Sequence, residues 1–136
     1  VNRFVAGFIG TPSMNFLDGE IVVQDGRPWM QGDGFLLPLG AELADRLDAG
    51  CAGTRATAGI RPSAFSTDPG EGAPIDLSLV VSEYLGQQSV LVTRCGGTEV
   101  LVEVAGGHPA RPGEKMSFGV RPEDIRVFDA ESGATL

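Results

Sequence analysis

The clearest periodicity lies in the second half of the chain, where apolar and polar residues alternate. Ile75, Leu77, Leu79 and Val81 occupy every second position, and polar residues lie between most of them. A period of two places alternate side chains on opposite faces of a β-strand. Similar runs separated by turn residues extend the pattern, which predicts strands at 75–82, 89–95, 98–104, 114–120 and 124–128.

The first half of the chain carries three Asp-Gly pairs, at 18–19, 25–26 and 33–34. An Asp-Gly pair between apolar runs favours a hairpin turn, because both residues tolerate positive φ. We therefore expect these pairs to separate short strands, with one more strand further along the chain, at 14–17, 20–24, 28–32, 34–39 and 54–61.

Two segments have helical character. In RFVAGFIG (3–10) the apolar residues fall at helical spacing, with Phe4, Phe8 and Ile9 among them, which predicts a short N-terminal helix. The stretch AELADRLD (41–48) predicts a second short helix.

A polar segment rich in Gly and Pro, STDPGEGAP (66–74), is typical of a linker or an exposed loop. It divides the predicted strands into two lobes, at about 14–65 and 75–128. Strands this short and this frequent indicate a mainly β protein that forms a small barrel or sandwich.

The chain contains the motif Gly-aliphatic-Arg-Pro twice, as GIRPS (59–63) and GVRPE (119–123). Glycine has no Cβ, so another backbone can approach it, and proline cannot donate to a strand ladder, so pairing stops there. We interpret the repeat as one strand-to-turn corner used in both lobes, without any need for catalysis. Its predicted structural signature consists of Gly59, Arg61, Pro62, Gly119, Arg121, Pro122 and Glu123.

Charge narrows the set of partners. The formal net charge is −8, and the basic residues are scattered along the chain. Nucleic-acid binders need a basic footprint that releases phosphate counterions, so no nucleic-acid partner is expected. No apolar run approaches the ~20 residues of a membrane-spanning helix.

Candidate chemistry is sparse. Cys51 and Cys95 have no second ligand at metal-binding spacing, and either two reduced thiols or one disulfide fits the sequence. His108 is the only histidine, which argues against a metal cluster or a catalytic triad. We expect no catalytic residue, no cofactor site and no metal site in this chain.

Longer stretches carry a resemblance to a known family. They are NRFVAGFIGTPSMNFL (2–17), GIRPS (59–63), VVSEYLGQQSVLV (80–92), GVRPEDIRVFD (119–129) and FDAESGATL (128–136). In this order they resemble the C-terminal regulatory region, a TOBE or MOP-like domain, of ATP-binding subunits of ABC sugar importers. The importers in question are of the maltose, trehalose and glycerol-3-phosphate type.

This resemblance implies an OB-like β-barrel built from discontinuous segments. Residues 14–136 would be the regulatory domain, and residues 1–13 would be a linker helix from an ATPase domain outside this sequence. Because the sequence opens at Val1 without an initiator Met, we expect a piece of a longer chain. Phe4, Phe8 and Ile9 would then contact that ATPase domain or a second copy.

The resemblance also implies partners and a location. These are a second copy in a homodimer, the membrane subunits through the ATPase domain, and an inhibitory regulatory protein, at the cytoplasmic face of the cell membrane. ATP and Mg²⁺ would bind in the ATPase domain. This sequence has no GxxxxGK[ST] loop, no LSGGQ signature and no hydrophobic strand that ends in Asp-Glu, so ATP hydrolysis is not expected.

One position departs from the family pattern: Ser63 stands where the first motif usually has Glu. Two other function classes stay open beside the regulatory domain. One is a free-standing barrel that binds a small ligand or oxyanion, as MOP-like proteins do, although a Ser-Ala-Arg-Asn-like strand motif is absent. The other is an oligonucleotide-binding OB module, against which the acidic balance and the few aromatic residues argue.

Overall fold

The computed structural model of the chain describes residues 14–41, 52–106, 111–133 and 135. The strands in chain order are β1 (Asn15–Gln24), β2 (Arg27–Gly32), β3 (Phe35–Pro38), β4 (Arg55–Ile60), β5 (Phe65–Ser66), β6 (Ala73–Tyr84), β7 (Gln88–Cys95), β8 (Thr98–Ala105), β9 (Lys115–Val120) and β10 (Arg126–Asp129). Two 3-10 turns follow β4 and β9, at Pro62–Ala64 and Pro122–Asp124. The prediction of a mainly β protein is confirmed. The helix predicted at 3–10, and all but the first residue of the helix predicted at 41–48, lie outside the described residues.

The strands form two five-stranded antiparallel sheets. The first sheet has the order β10-β4-β1-β2-β3 and the second has the order β5-β9-β6-β7-β8. Each sheet includes one edge strand from the other half of the chain. The first sheet includes β10, which follows the strands of the second sheet in sequence, and the second sheet includes β5, which directly follows β4 of the first sheet. The two curled sheets are OB-like, and the lobes that the sequence suggests are joined by these exchanged strands.

A hydrophobic cluster of described residues from both sheets lies between the two sheets. Leu17 and Ile21 of β1 belong to it together with Leu77 of β6 and Val102 of β8, and all four are buried. In β8 the buried residues alternate with more exposed ones, which is the period-two pattern that the sequence predicts. Burial of this shared apolar surface is the main force that holds one sheet against the other.

Two of the three Asp-Gly pairs form the predicted hairpin turns. Asp25 and Gly26, between β1 and β2, have φ of 54° and 74°, and the pair at 33–34 joins β2 to β3. The turn expected at 18–19 is wrong, because β1 continues through Gly19. A Cβ on Gly19 would lie 2.2 Å from the carbonyl oxygen of Gln31 in β2, so this glycine permits close strand approach instead of a turn.

The alternation in β6 breaks at its centre. Leu79 is buried, but Val81 is half exposed and does not share the core face as the pattern predicts. The register with β7 shifts between these two residues, because one extra residue of β6 is accommodated in a bulge. A bulge leaves no mark in the hydrophobic pattern, and beyond it the end of β6 and its turn project apolar side chains toward solvent.

Candidate functional site

Both copies of the repeated motif form the same corner. Arg61 follows β4 and precedes the first 3-10 turn, with φ −70° and ψ 146°, and Arg121 follows β9 with φ −72° and ψ 132°. A proline occupies the first turn of each 3-10 segment, where its fixed φ fits and its missing N–H costs nothing. The corners lie at the ends of strands in different sheets, with both arginines and Glu123 exposed.

The glycine of each corner is closely approached by other atoms, but by different kinds. A Cβ on Gly119 would lie 2.6 Å from the carbonyl oxygen of Asp68 and 3.0 Å from that of Glu71. A Cβ on Gly59 would lie 2.4 Å from Sδ of Met14 and 3.0 Å from the ring of Phe128. Backbone encloses the second corner, whereas side chains cover the first.

A cleft of about 230 Å³ opens beside the first corner. Met14 and Ala64 supply its apolar lining, and the polar residues around it are Arg61, Ser63, Asp124 and Arg126. In the register of β10 with β4, Arg126 lies opposite Gly59. The exchanged strand β10 therefore brings Arg126 and Asp124, which follow the second motif, beside the arginine of the first motif.

The sequence did not indicate this cleft. Of the signature residues of the repeated motif, those of the first copy lie near the cleft: Gly59, Arg61 and Pro62. Those of the second copy, Gly119, Arg121 and Pro122, belong to the other corner. Arg126 was not singled out, because nothing in a linear pattern shows that β10 crosses to the first sheet. The available signal was the difference between the two motifs, Ser63 in one and Glu123 in the other.

A group of exposed apolar side chains lies at the end of β6 and in its turn to β7. It consists of Val80, Val81, Tyr84 and Leu85, whose exposed fractions are 45%, 50%, 62% and 52%. We call it the hairpin surface. Phe4, Phe8 and Ile9, the contact residues expected from the sequence, lie outside the described residues.

One of the candidate reactive groups, Cys95, lies among the described residues. Cys95 is a free, buried thiol, and burial raises its pKa, with further contributions from the Asp33 and Asp76 carboxylates. Cys51 and His108 lie outside the described residues. Across residues 14–41, 52–106, 111–133 and 135, no three His, Cys, Asp or Glu side chains are placed to hold a metal ion. Over the same residues, a helix with the length and hydropathy of a membrane span is not found.

Comparison with known proteins agrees with this fold. The chain is 35% identical over 134 residues to an sn-glycerol-3-phosphate import ATP-binding protein, UgpC, of a Ruegeria species. It is 33% identical over 141 residues to the multiple sugar-binding transport ATP-binding protein MsmK of Streptococcus mutans. These matches cover 96% and 99% of this chain, but only 34% and 37% of the relatives, so the chain spans about a third of their length.

A solved structure of the cytoplasmic molybdate-binding protein ModG matches 83% of the chain and 94% of ModG, with a TM-score of 0.58. At 15% sequence identity this likeness concerns the fold alone. The family model of the MalK OB fold domain matches residues 10–65, and that of the TOBE domain matches residues 58–128. The TOBE and OB domains are not the catalytic ATPase module of the subunits that carry them. The chain therefore belongs to the TOBE domain family, in the form that combines a MalK-type OB fold with a TOBE domain.

Proposed function

We propose that this chain is the regulatory and dimerisation domain of the ATP-binding subunit of an ABC carbohydrate importer. The hairpin surface is the observation that carries the proposal. Val81, Tyr84 and Leu85 are each at least half exposed at the end of one hairpin. Exposed apolar residues that are concentrated at one end of a hairpin are typical of sites of protein interaction, and their burial by a second copy removes apolar surface from water.

The relatives support the proposed partners and location. Proteins such as UgpC and MsmK are named as import or transport ATP-binding proteins, and the present chain matches about a third of each. Its partners would be its own ATPase domain, a second copy, the membrane subunits reached through the ATPase domain, and an inhibitory regulatory protein. ATP and Mg²⁺ would bind in the ATPase domain, at the cytoplasmic face of the membrane, and the present domain would have no turnover of its own.

Sedimentation of the purified chain from micromolar to millimolar concentration tests the dimerisation. We expect weak, concentration-dependent pairing, since an isolated domain lacks the avidity of the full complex. Val81→Glu should shift the equilibrium to monomer, because it places a charge in the hairpin surface. The matched control is Val23→Glu, which changes another exposed valine, on β1 in the first sheet, and should leave pairing unchanged.

Strict monomer behaviour over the whole range would contradict the dimerisation proposal. Combined with saturable oxyanion binding, it would favour the alternative function, a free-standing MOP-like barrel that binds a small ligand or oxyanion. The likeness in fold to ModG and the two arginines beside the cleft are the observations that favour this alternative.

A further inference from the structure

We propose that the cleft between Arg61 and Arg126 binds a small polyol phosphate, such as a sugar phosphate. The site is a property of this one chain, and it does not depend on whether the chain dimerises. It is built from both halves of the sequence, since Arg61 follows β4 whereas Asp124 and Arg126 precede or begin β10.

The charge of the cleft is opposite to that of the protein. The chain has a formal net charge of −8, yet two guanidinium groups and a single carboxylate line this cleft. Guanidinium groups bind phosphate oxygens through charge-assisted, often bidentate, hydrogen bonds. Since acidic residues elsewhere repel a phosphate, its binding should concentrate where two arginines meet.

The two arginine side chains differ in the hydrogen bonds that they make within the protein. Arg126 donates a hydrogen bond from Nη1 to the carbonyl oxygen of Glu123 at 3.2 Å, which fixes part of its guanidinium and leaves other N–H groups available. The side chain of Arg61 makes no hydrogen bond or ion pair to another residue in the described part of the chain. Both can therefore turn N–H donors toward a ligand.

Ser63 keeps the cleft open to an anion. The second motif has Glu123 at the position that Ser63 holds in the first, and Ser63 lines the cleft. A glutamate there would bring a second carboxylate beside the two arginines and would compete for them. The serine hydroxyl is uncharged, and it can donate a hydrogen bond to a phosphate oxygen.

Asp124 determines which kind of phosphate fits. An ionised carboxylate only accepts hydrogen bonds, so it repels a bare inorganic phosphate but accepts from a hydroxyl group of the ligand. A volume of about 230 Å³ is smaller than the usual range for drug-sized ligands, roughly 300–1,000 Å³. The combination of arginines, one carboxylate and small volume selects a phosphate monoester that carries neighbouring hydroxyl groups.

Titration calorimetry at low ionic strength tests the site, with glucose 6-phosphate, inorganic phosphate and glucose as the three probes. We expect saturable binding of glucose 6-phosphate, weaker binding of inorganic phosphate and none of glucose. Arg61→Gln, Arg126→Gln and Ser63→Glu should each weaken binding of glucose 6-phosphate by about tenfold or more. The matched control is Arg121→Gln, which removes the same charge from the same backbone setting at the other corner.

Two results would overturn the proposal: absence of saturable binding of glucose 6-phosphate, or an equal loss of affinity in Arg121→Gln and Arg61→Gln. The variant Asp124→Asn separates the two ligand sources. It should raise the affinity for inorganic phosphate relative to glucose 6-phosphate, and an unchanged ratio would overturn the role of Asp124. Thermal melting of each variant establishes that the fold is retained, which the exposure of these side chains favours.

Discussion

Asn15 of β1 and Leu101 of β8 join the two sheets through a pair of hydrogen bonds. Nδ2 of Asn15 donates to the carbonyl oxygen of Leu101 at 2.8 Å, and the N–H of Leu101 donates to Oδ1 of Asn15 at 2.9 Å. Asn15 is 7% exposed, so water cannot easily take the place of its amide in either hydrogen bond. The amide of Asn15 thereby satisfies the outward-facing N–H and C=O of one residue of β8, which is the edge strand of its sheet.

Replacement of Asn15 by Ala should lower the free energy of unfolding by about 1–3 kcal/mol, because two part-buried backbone groups of Leu101 lose their partners. Asn15→Asp keeps an acceptor for the Leu101 N–H but loses the donor to its carbonyl oxygen, and it should also be destabilising. Urea unfolding followed by circular dichroism measures both. A loss below about 0.5 kcal/mol in both variants would contradict a bridging role.

The two corner glycines should tolerate alanine unequally. At Gly119 the added Cβ meets backbone carbonyl oxygens, and we expect a loss of about 1–3 kcal/mol from backbone displacement. At Gly59 the nearest atom is the flexible end of Met14, which can move, so the loss should be smaller. Thermal or chemical unfolding of the two variants gives the comparison.

The double variant Met14→Ala with Gly59→Ala is the control for this explanation. Removal of the Met14 side chain should abolish most of the cost of the new Cβ at Gly59. If Gly59→Ala proves as destabilising as Gly119→Ala, and Met14→Ala gives no relief, the distinction between side-chain and backbone enclosure is wrong.

The Asp129 turn should make stability depend on pH. Hydrogen bonds from the N–H groups of Ser132 and Glu131 hold the pKa of the Asp129 carboxyl below its usual range, against an opposing effect of desolvation, and the Ser132 hydroxyl adds a smaller lowering effect. A pKa lowered by folding contributes stability above the unfolded value, near 3.9, that is lost as pH falls through the folded value.

Asp129→Asn should therefore be less stable than the parent at pH 7, and the difference should decrease as pH falls through about 4 and disappear below the lowered pKa of the folded state. Unfolding curves measured between pH 2 and pH 7 would follow the two proteins. A stability difference that stays constant across this range would mean that the charge of Asp129 is not what the hydrogen bonds stabilise.

The Cys95 thiol should resist alkylation in the folded protein. Its pKa is raised mainly by burial, and each unit of increase lowers the thiolate fraction about tenfold. In a Cys51→Ser background, iodoacetamide at pH 8 should modify Cys95 more than about tenfold more slowly in the native protein than in urea. Equal rates with and without urea would show that this strand opens readily.

The linear sequence, through its hydrophobic alternation and its Asp-Gly pairs, was sufficient for most strands and for two of three hairpin turns, because those features depend on local residues. It failed at Gly19, where the glycine reflects the approach of a neighbouring strand. It also failed at Val81, where one extra residue reverses the faces. The conformation at Gly19 and the direction of the Val81 side chain both depend on how β1 and β6 pair with neighbouring strands. The periodicity of the sequence does not contain this information.

The cleft could not be predicted from the sequence for the same reason. Arg61 and Arg126 are far apart in sequence, and they line the same cleft because β10 pairs with β4. The repeated motif concerns local structure, and a 3-10 turn follows each copy. It could not show that residues after the second corner would lie beside the first.

The exchange of β5 and β10 has a consequence for how the polypeptide can be divided. A cut within the exposed segment 67–72 would leave the N-terminal fragment with β5 but without its partner β9, and the C-terminal fragment with β10 but without β4. Each fragment would carry an orphaned strand whose complement resides in the other. Co-expressed halves should reassemble into one particle, whereas either half produced by itself should aggregate. Neither sheet should therefore fold without the other.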